Sequence, residues 1–282
     1  MNHLNRRSFL KTACAGAAGI GFATRSFAEE TPDPWHGLKI GLASYSVNKM
    51  SFDEMVALVK DLGIKYVSIK ECHLPLNSTK EQCQTAAQKL KDAGITLISC
   101  GVIYLKGDEA AFRKSFEYVK NTGAPTMVMS CNPGELVTVE KLSKEFDIRC
   151  AIHNHGPGDK QFPSAHEAFD AVKNLDPHVG LCVDIGHVYR RGDDEVEVIH
   201  AVKDRIYDFH FKDYIKDTTK PNVPGTPKII GQGGMNVKGI LKALVEIKYA
   251  GHVGLEYEKP GPNEPAELKA CYDAIKKILA EV

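Results

Sequence analysis

Four short apolar runs in the second half of the chain end on groups able to bind a cation or move a proton. They end His153-Asn154-His155, Asp184-Ile185-Gly186-His187, His210-Phe211-Lys212-Asp213 and Glu256-Tyr257-Glu258. An earlier run ends Lys70-Glu71-Cys72-His73. A buried polar group costs free energy unless it is paired, and a lone buried charge costs far more. A divalent cation is the simplest shared partner for imidazoles and carboxylates gathered in one place. That donor mixture suits Zn, Mn, Fe or Co better than Ca or Mg. Side chains alternate along a strand, so His153 and His155 share a face, as do Glu256 and Glu258. The expected metal ligands are His153, Asp184, His210 and Glu256. A Lewis-acidic ion on a carbonyl makes the neighbouring C–H acidic, and Glu256, or Glu258 beside it, is the expected general base. His187 and Lys212 are expected to hold hydroxyls or return a proton. His155, Lys70 and Glu71 are expected to contact substrate.

These groups need elements that bring them to one end. Strand-like runs cover 38–46, 66–71, 96–104, 125–131, 148–155, 179–187, 206–212 and 251–258. Between them lie stretches with apolar residues at i, i+3, i+4 spacing. The first is 52–62, opened by Ser51 as N-cap and closed by Gly63; the others are 79–92, 109–121, 137–146, 164–175, 193–204, 237–248 and 265–281. Eight strand–helix alternations with no break in composition predict the α/β class, a single-domain (β/α)8 barrel over 38–282. Active sites of such barrels sit at the C-terminal ends of the strands, where the reactive residues fall. An open doubly wound sheet would need a glycine-rich phosphate turn after the first strand, and Ser44-Tyr45-Ser46-Val47 is not one. The longest connection, 213–235, is a candidate lid and contains the cluster Gly231-Gln232-Gly233-Gly234. His73 reads as a surface loop histidine, and His166 and His200 as exposed helix residues.

The segments Cys182-Val183-Asp184-Ile185-Gly186-His187, Asp208-Phe209-His210-Phe211-Lys212-Asp213 and Gly254-Leu255-Glu256-Tyr257-Glu258 resemble the sugar phosphate isomerase/epimerase group of xylose isomerase-like TIM barrels. That group includes ketose 3-epimerases, hydroxypyruvate isomerases, inosose dehydratases and, more distantly, endonuclease IV enzymes. The resemblance spans nearly all of the chain after the leader. It implies metal ligation by Asp184, His210 and Glu256, and a substrate or metal contact for His187. In the ketose epimerases the fifth-strand ligand is a glutamate, which serves with the eighth-strand glutamate as a pair of opposing bases. Here His153 stands in its place. The change removes one base, unless Glu258, Glu71 or His155 replaces it, and leaves room for isomerisation, dehydration or β-elimination with a single base. Inosose dehydratase-like proteins are similar at this histidine.

The start of the chain reads as a leader. Asn5-Arg6-Arg7-Ser8-Phe9-Leu10-Lys11 precedes a small-residue apolar stretch from Thr12 to Ala23, then Ser26-Phe27-Ala28. A charged start, a short apolar core and small residues before a cleavage point describe an export signal over 1–28, and the paired arginines resemble the twin-arginine type. The apolar core is far shorter than the roughly 20 residues that span a bilayer, so no stable membrane insertion is expected after cleavage. Residues 29–37 read as a linker. Export of an already folded protein suits an enzyme that takes up its metal first, and places it in the periplasm or beyond. Seven cysteines follow Cys14, with no CxxC pair, and read mostly as buried thiols. The 282 residues carry 36 basic and 36 acidic side chains. That balance argues against a nucleic-acid partner, which a basic face would serve. The expected partner is a small sugar, unphosphorylated because sugar phosphates are mostly cytoplasmic. The resemblance and these residues together imply a metal-dependent isomerase or epimerase of a sugar or keto-sugar; the alternatives are a lyase or dehydratase on a keto-polyol or 3-keto-glycoside, and a sugar-binding barrel without catalysis.

Overall fold

The computed structural model describes residues 33–217, 219, 225–259 and 265–282. The segment 1–28 read as an export signal and residues 29–32 of the expected linker lie outside them. Eight parallel strands close on themselves in the order β1-β10-β7-β6-β5-β4-β3-β2. They are β1 (Lys39–Ala43), β2 (Tyr66–Ile69), β3 (Thr96–Tyr104), β4 (Thr126–Ser130), β5 (Arg149–His153), β6 (Val179–Asp184), β7 (Ile206–Phe211) and β10 (His252–Leu255). The expected barrel is therefore the observed one. Strands covered on both faces read as continuous apolar runs, and β4 and β6 are buried at every position.

Helices α1 (Phe52–Asp61), α2 (Lys80–Asp92), α3 (Glu109–Thr122), α4 (Leu136–Phe146), α5 (Ala165–Val172), α7 (Glu195–Val202), α8 (Val237–Glu246) and α9 (Pro265–Leu279) form the outer layer. Their ends obey local chemistry. Ser51 opens α1 and Thr79 opens α2 with reciprocal capping boxes to Glu54 and Gln82. Gly123, in the left-handed region, closes α3. The main core lies between strands and helices, where Phe112, Phe116, Leu142 and Ile275 are almost wholly enclosed. Inside the barrel a small apolar layer, Val102, Val128, Ala151 and Cys182, fills the taper.

Several details differ from the sequence reading. β2 ends at Ile69, so Lys70 and Glu71 stand just past the strand. A further helix, α6 (Ile185–Arg191), begins on the last residue of β6; its seven residues are too few to show a clear apolar period. The connection 213–235 carries a two-stranded antiparallel arm, β8 (Asp213–Ile215) with β9 (Thr226–Lys228); residues 218 and 220–224 fall outside the described set. Part of the 29–37 linker packs on the barrel: the Trp35 ring sits 4.7 Å from that of Tyr272 on α9. His73 is buried, contrary to the reading as a surface histidine, because its Nδ1 lies 3.1 Å from Ser44 Oγ. Among the described residues no helix is long and apolar enough to cross a membrane. Six of the seven described cysteines are buried free thiols, and Cys72 is exposed.

Beneath the barrel mouth, three polar residues form a closed group. Asp208 accepts from Ser99 Oγ on one oxygen and lies 3.0 Å from His252 Nδ1 on the other. All three are fully enclosed. A Cβ on Gly41 would come within 2.4 Å of His252 Nε2, so glycine at that position is what lets the imidazole fit.

Candidate metal centre

The inward period of β5, β6, β7 and β10 delivers the four expected ligands to one point at the barrel mouth. One donor atom each from His153, Asp184, His210 and Glu256 lies within 4.8 Å of every other. His153 Nε2 stands 3.2 Å from His210 Nδ1 and 3.3 Å from Asp184 Oδ2. His210 Nδ1 stands 3.0 Å from Glu256 Oε2 and 3.9 Å from Asp184 Oδ2. Donors about 2.1 Å from one ion are roughly 3 to 3.4 Å from each other. Asp184 Oδ2 is buried yet accepts no aligned hydrogen bond. Spacing and donor chemistry both fit a first-row divalent ion.

The protonation states of His153, Asp184 and Glu256 suit a cation, and that of His210 does not until it loses a proton. Burial pushes His153 down to about 3, so its imidazole is neutral with a free lone pair at neutral pH. Burial opposes the charge of Asp184, but the neighbouring His187 and the Lys212 ammonium outweigh it and hold the carboxyl well below its ordinary value; burial keeps His187 itself neutral at neutral pH, down at about 4. Glu256 is likewise held low, burial being outweighed by His210 and Lys212. Burial disfavours a charged His210, yet Cys182 and Glu256 facing it raise its pKa above the usual histidine value.

The other sequence candidates fall around this point. Lys212 Nζ lies 2.8 Å from Asp184 Oδ2, 2.5 Å from Glu256 Oε2 and 3.0 Å from Glu258 Oε2. His187 Nε2 is 3.7 Å from Asp184 Oδ2. The His155 ring centroid is 4.5 Å from that of His153, and its Nε2 meets Tyr104 Oη at 3.0 Å. Lys70 stands apart from the carboxylates; its Nζ lies 5.4 Å from the Tyr45 ring centroid and 5.6 Å from that of Tyr104. Glu71 is exposed beyond β2 and makes no contact with the four donors.

Two supporting residues escaped the sequence reading. Asn154, between the two histidines, donates from Nδ2 to the Asp184 carbonyl at 3.1 Å and accepts from the Asp184 N–H at 2.9 Å. It clamps the end of β6 to β5 and so fixes where Asp184 points. Asp213 accepts N–H bonds from Gly231 at 2.9 Å, Gly233 at 2.8 Å and Met235 at 3.3 Å. It ties the glycine cluster to the end of β7, and a Cβ on Gly233 would strike its carboxylate at 2.0 Å. The available signals were Asn154 between the two histidines and Asp213 at the end of the His210-Phe211-Lys212-Asp213 run. Replacing Asn154 with alanine removes both of these hydrogen bonds to the buried Asp184 backbone, and should cost about 1–3 kcal/mol in urea unfolding. A loss below a few tenths would show that the clamp is dispensable.

Comparison with known proteins agrees with this architecture. A search of curated proteins finds an inosose dehydratase of Lactiplantibacillus plantarum, 26% identical over 158 residues, which are 50% of this chain and 51% of that protein. The chain thus spans about half the length of the curated relative it matches. Among solved structures, the IOLI protein with a zinc atom superposes with a TM-score of 0.72 at 15% identity, covering 86% of this chain and 99% of its own. A D-psicose 3-epimerase solved in the presence of D-fructose gives 0.67 at 18% identity, covering 86% and 98%. At such identities these structures speak for the fold. The profile of the xylose isomerase-like TIM barrel family matches residues 135–278, half of the chain and all four strands that carry the donors. On that match, and on the closed eight-stranded barrel it predicts, the chain belongs to the xylose isomerase-like TIM barrel family.

Proposed function

We propose that the protein is a metal-dependent isomerase or epimerase of a free sugar or keto-sugar, working by proton abstraction beside a carbonyl. The observation that carries this reading is the convergence of His153, Asp184, His210 and Glu256 at the barrel mouth. When bound there, a divalent ion supplies Lewis-acid polarisation of a carbonyl. Glu256 is kept anionic by His210 and Lys212, so it can act as a base at neutral pH. Glu258, at 32% exposure the most open carboxylate of the group, is the second candidate for the proton. His187 and Lys212 direct N–H donors at substrate oxygens, and His155 with Tyr104 borders the same space. The export signal read at 1–28 supports an unphosphorylated substrate outside the cytoplasm.

A lyase or dehydratase is the second reading. It is favoured by His153 in place of a second carboxylate base and by the likeness to an inosose dehydratase. One experiment separates them. The metal-loaded protein is incubated in D2O with a panel of ketoses and keto-glycosides, and products are read by NMR and mass spectrometry. Deuterium beside the carbonyl with mass otherwise retained supports isomerisation or epimerisation; loss of water or of an aglycone supports the lyase. Glu256→Gln should reduce exchange by about a hundredfold or more. Exchange at the wild-type rate in that variant would remove Glu256 from the chemistry.

A further inference from the structure

Lys212 draws on the same two carboxylate oxygens as the metal site. Its ammonium approaches Asp184 Oδ2 at 2.8 Å and Glu256 Oε2 at 2.5 Å, and those oxygens face His153 and His210 in the donor group. The side chain is 3% exposed. The aligned hydrogen bond of the ammonium, however, runs outward to Glu258 Oε2 at 3.0 Å. Tyr214 donates to that same oxygen at 2.5 Å, and its ring centroid lies 6.0 Å from Lys212 Nζ. The lysine therefore has two inner contacts made by charge alone and one outer partner with directed geometry. Gly186 gives its stem room: a Cβ there would fall 2.6 Å from Lys212 Cδ and 2.7 Å from Cγ.

We infer that Lys212 is a displaceable internal cation that sets the metal affinity of this site. Its ammonium neutralises Asp184 and Glu256 until a divalent ion takes their oxygens, and then stays with Glu258 and Tyr214 at the mouth, on the substrate side. Two positive centres compete for one pair of oxygens, so the free energy of ion binding is reduced by that of ejecting the lysine. This rests on the metal-dependent reading of the same site and adds the residue that tunes it.

The test is calorimetric titration of EDTA-treated protein with Mn2+, comparing wild type, Lys212→Met and Lys216→Met. Lys216 is a nearby cation that sits on the Tyr189 ring, 4.1 Å from its centroid, outside the carboxylate group. Lys212→Met should tighten Mn2+ by at least about tenfold, while Lys216→Met stays within about threefold, since the ion displaces nothing in the first case only. Thermal melting supplies the second readout. Without metal, Lys212→Met should melt below wild type because its carboxylates lose their shared cation, and saturating Mn2+ should restore it. Unchanged or weaker binding by Lys212→Met overturns the inference, as does equal tightening by both variants, which would indicate diffuse charge. Binding by Lys212→Met alone supports the internal cation and removes the metal from the wild-type reading. Failure of all three proteins to bind Mn2+ removes both.

Discussion

Asp184→Asn is expected to lose the metal ion and at least about a thousandfold in turnover, equivalent to ~4 kcal/mol of barrier. The expectation follows from the position of Oδ2, which meets His153 at 3.3 Å, His187 at 3.7 Å, His210 at 3.9 Å and Lys212 at 2.8 Å. No other oxygen in the group touches so many of the candidate residues. An amide there keeps the shape but withdraws the negative charge that a divalent ion needs. Asparagine is also a good N-cap, so it can still accept the His187 N–H that Asp184 Oδ1 accepts at 3.1 Å. The fold should therefore survive. Metal content by mass spectrometry, turnover of the ketose panel and the far-ultraviolet circular dichroism spectrum check the three parts separately. A variant that keeps a full complement of metal and wild-type turnover would falsify the proposed site.

His252→Ala should have the largest effect on stability. The substitution leaves Asp208 charged and fully enclosed, with the Ser99 hydroxyl and the Phe209 N–H as its hydrogen-bond partners. Removing a hydrogen-bond partner from a buried group costs about 1–3 kcal/mol, and more when the group left behind is charged, so for a domain of this size the melting midpoint should fall by about five to ten degrees. Burial would raise the Asp208 carboxyl, but His252 outweighs it and holds the group below its ordinary value. The linkage follows in sign: stability from a depressed carboxylate is present above its unfolded pKa and is lost as pH falls through the lower folded one. The double variant His252→Phe with Asp208→Asn should lose much less than the sum of the singles, since residues in one network do not act independently. Urea unfolding at neutral pH measures the wild type, His252→Ala, His252→Phe, Asp208→Asn and the double variant. A loss under about 1 kcal/mol for His252→Ala, the range of an ordinary exposed contact, would contradict the structural role given to the His252–Asp208 hydrogen bond.

The barrel was legible because its signals are local. Strand β6 is a run of buried residues 179–184 that ends in a carboxylate, and the positions of His153, Asp184, His210 and Glu256 at four strand ends marked them as one group before any contact was known. The residues that escaped work at long range. Ser99 and Asp208 are 109 residues apart, on strands that face each other across the barrel, and no periodicity within either strand announces the meeting. His73 looks like a loop residue next to Leu74-Pro75 until β1 brings Ser44 to its ring. Asn154 reads as the odd residue between two histidines, yet its amide does the clamping. Lys212 was legible as a reactive group, but its shared grip on three carboxylates needed the closed barrel to appear.

The start of α6 ties the centre to the fold around it. Asp184 gives one oxygen to the first turn of that helix and the other to the barrel mouth, so the helix dipole and the bound charge pull on a single side chain from two directions. A glutamate here would extend the carboxylate by one carbon and surrender either the helix start or the mouth. Any redesign of the proposed ion site would therefore have to vary the histidines and Glu256 and leave this aspartate in place.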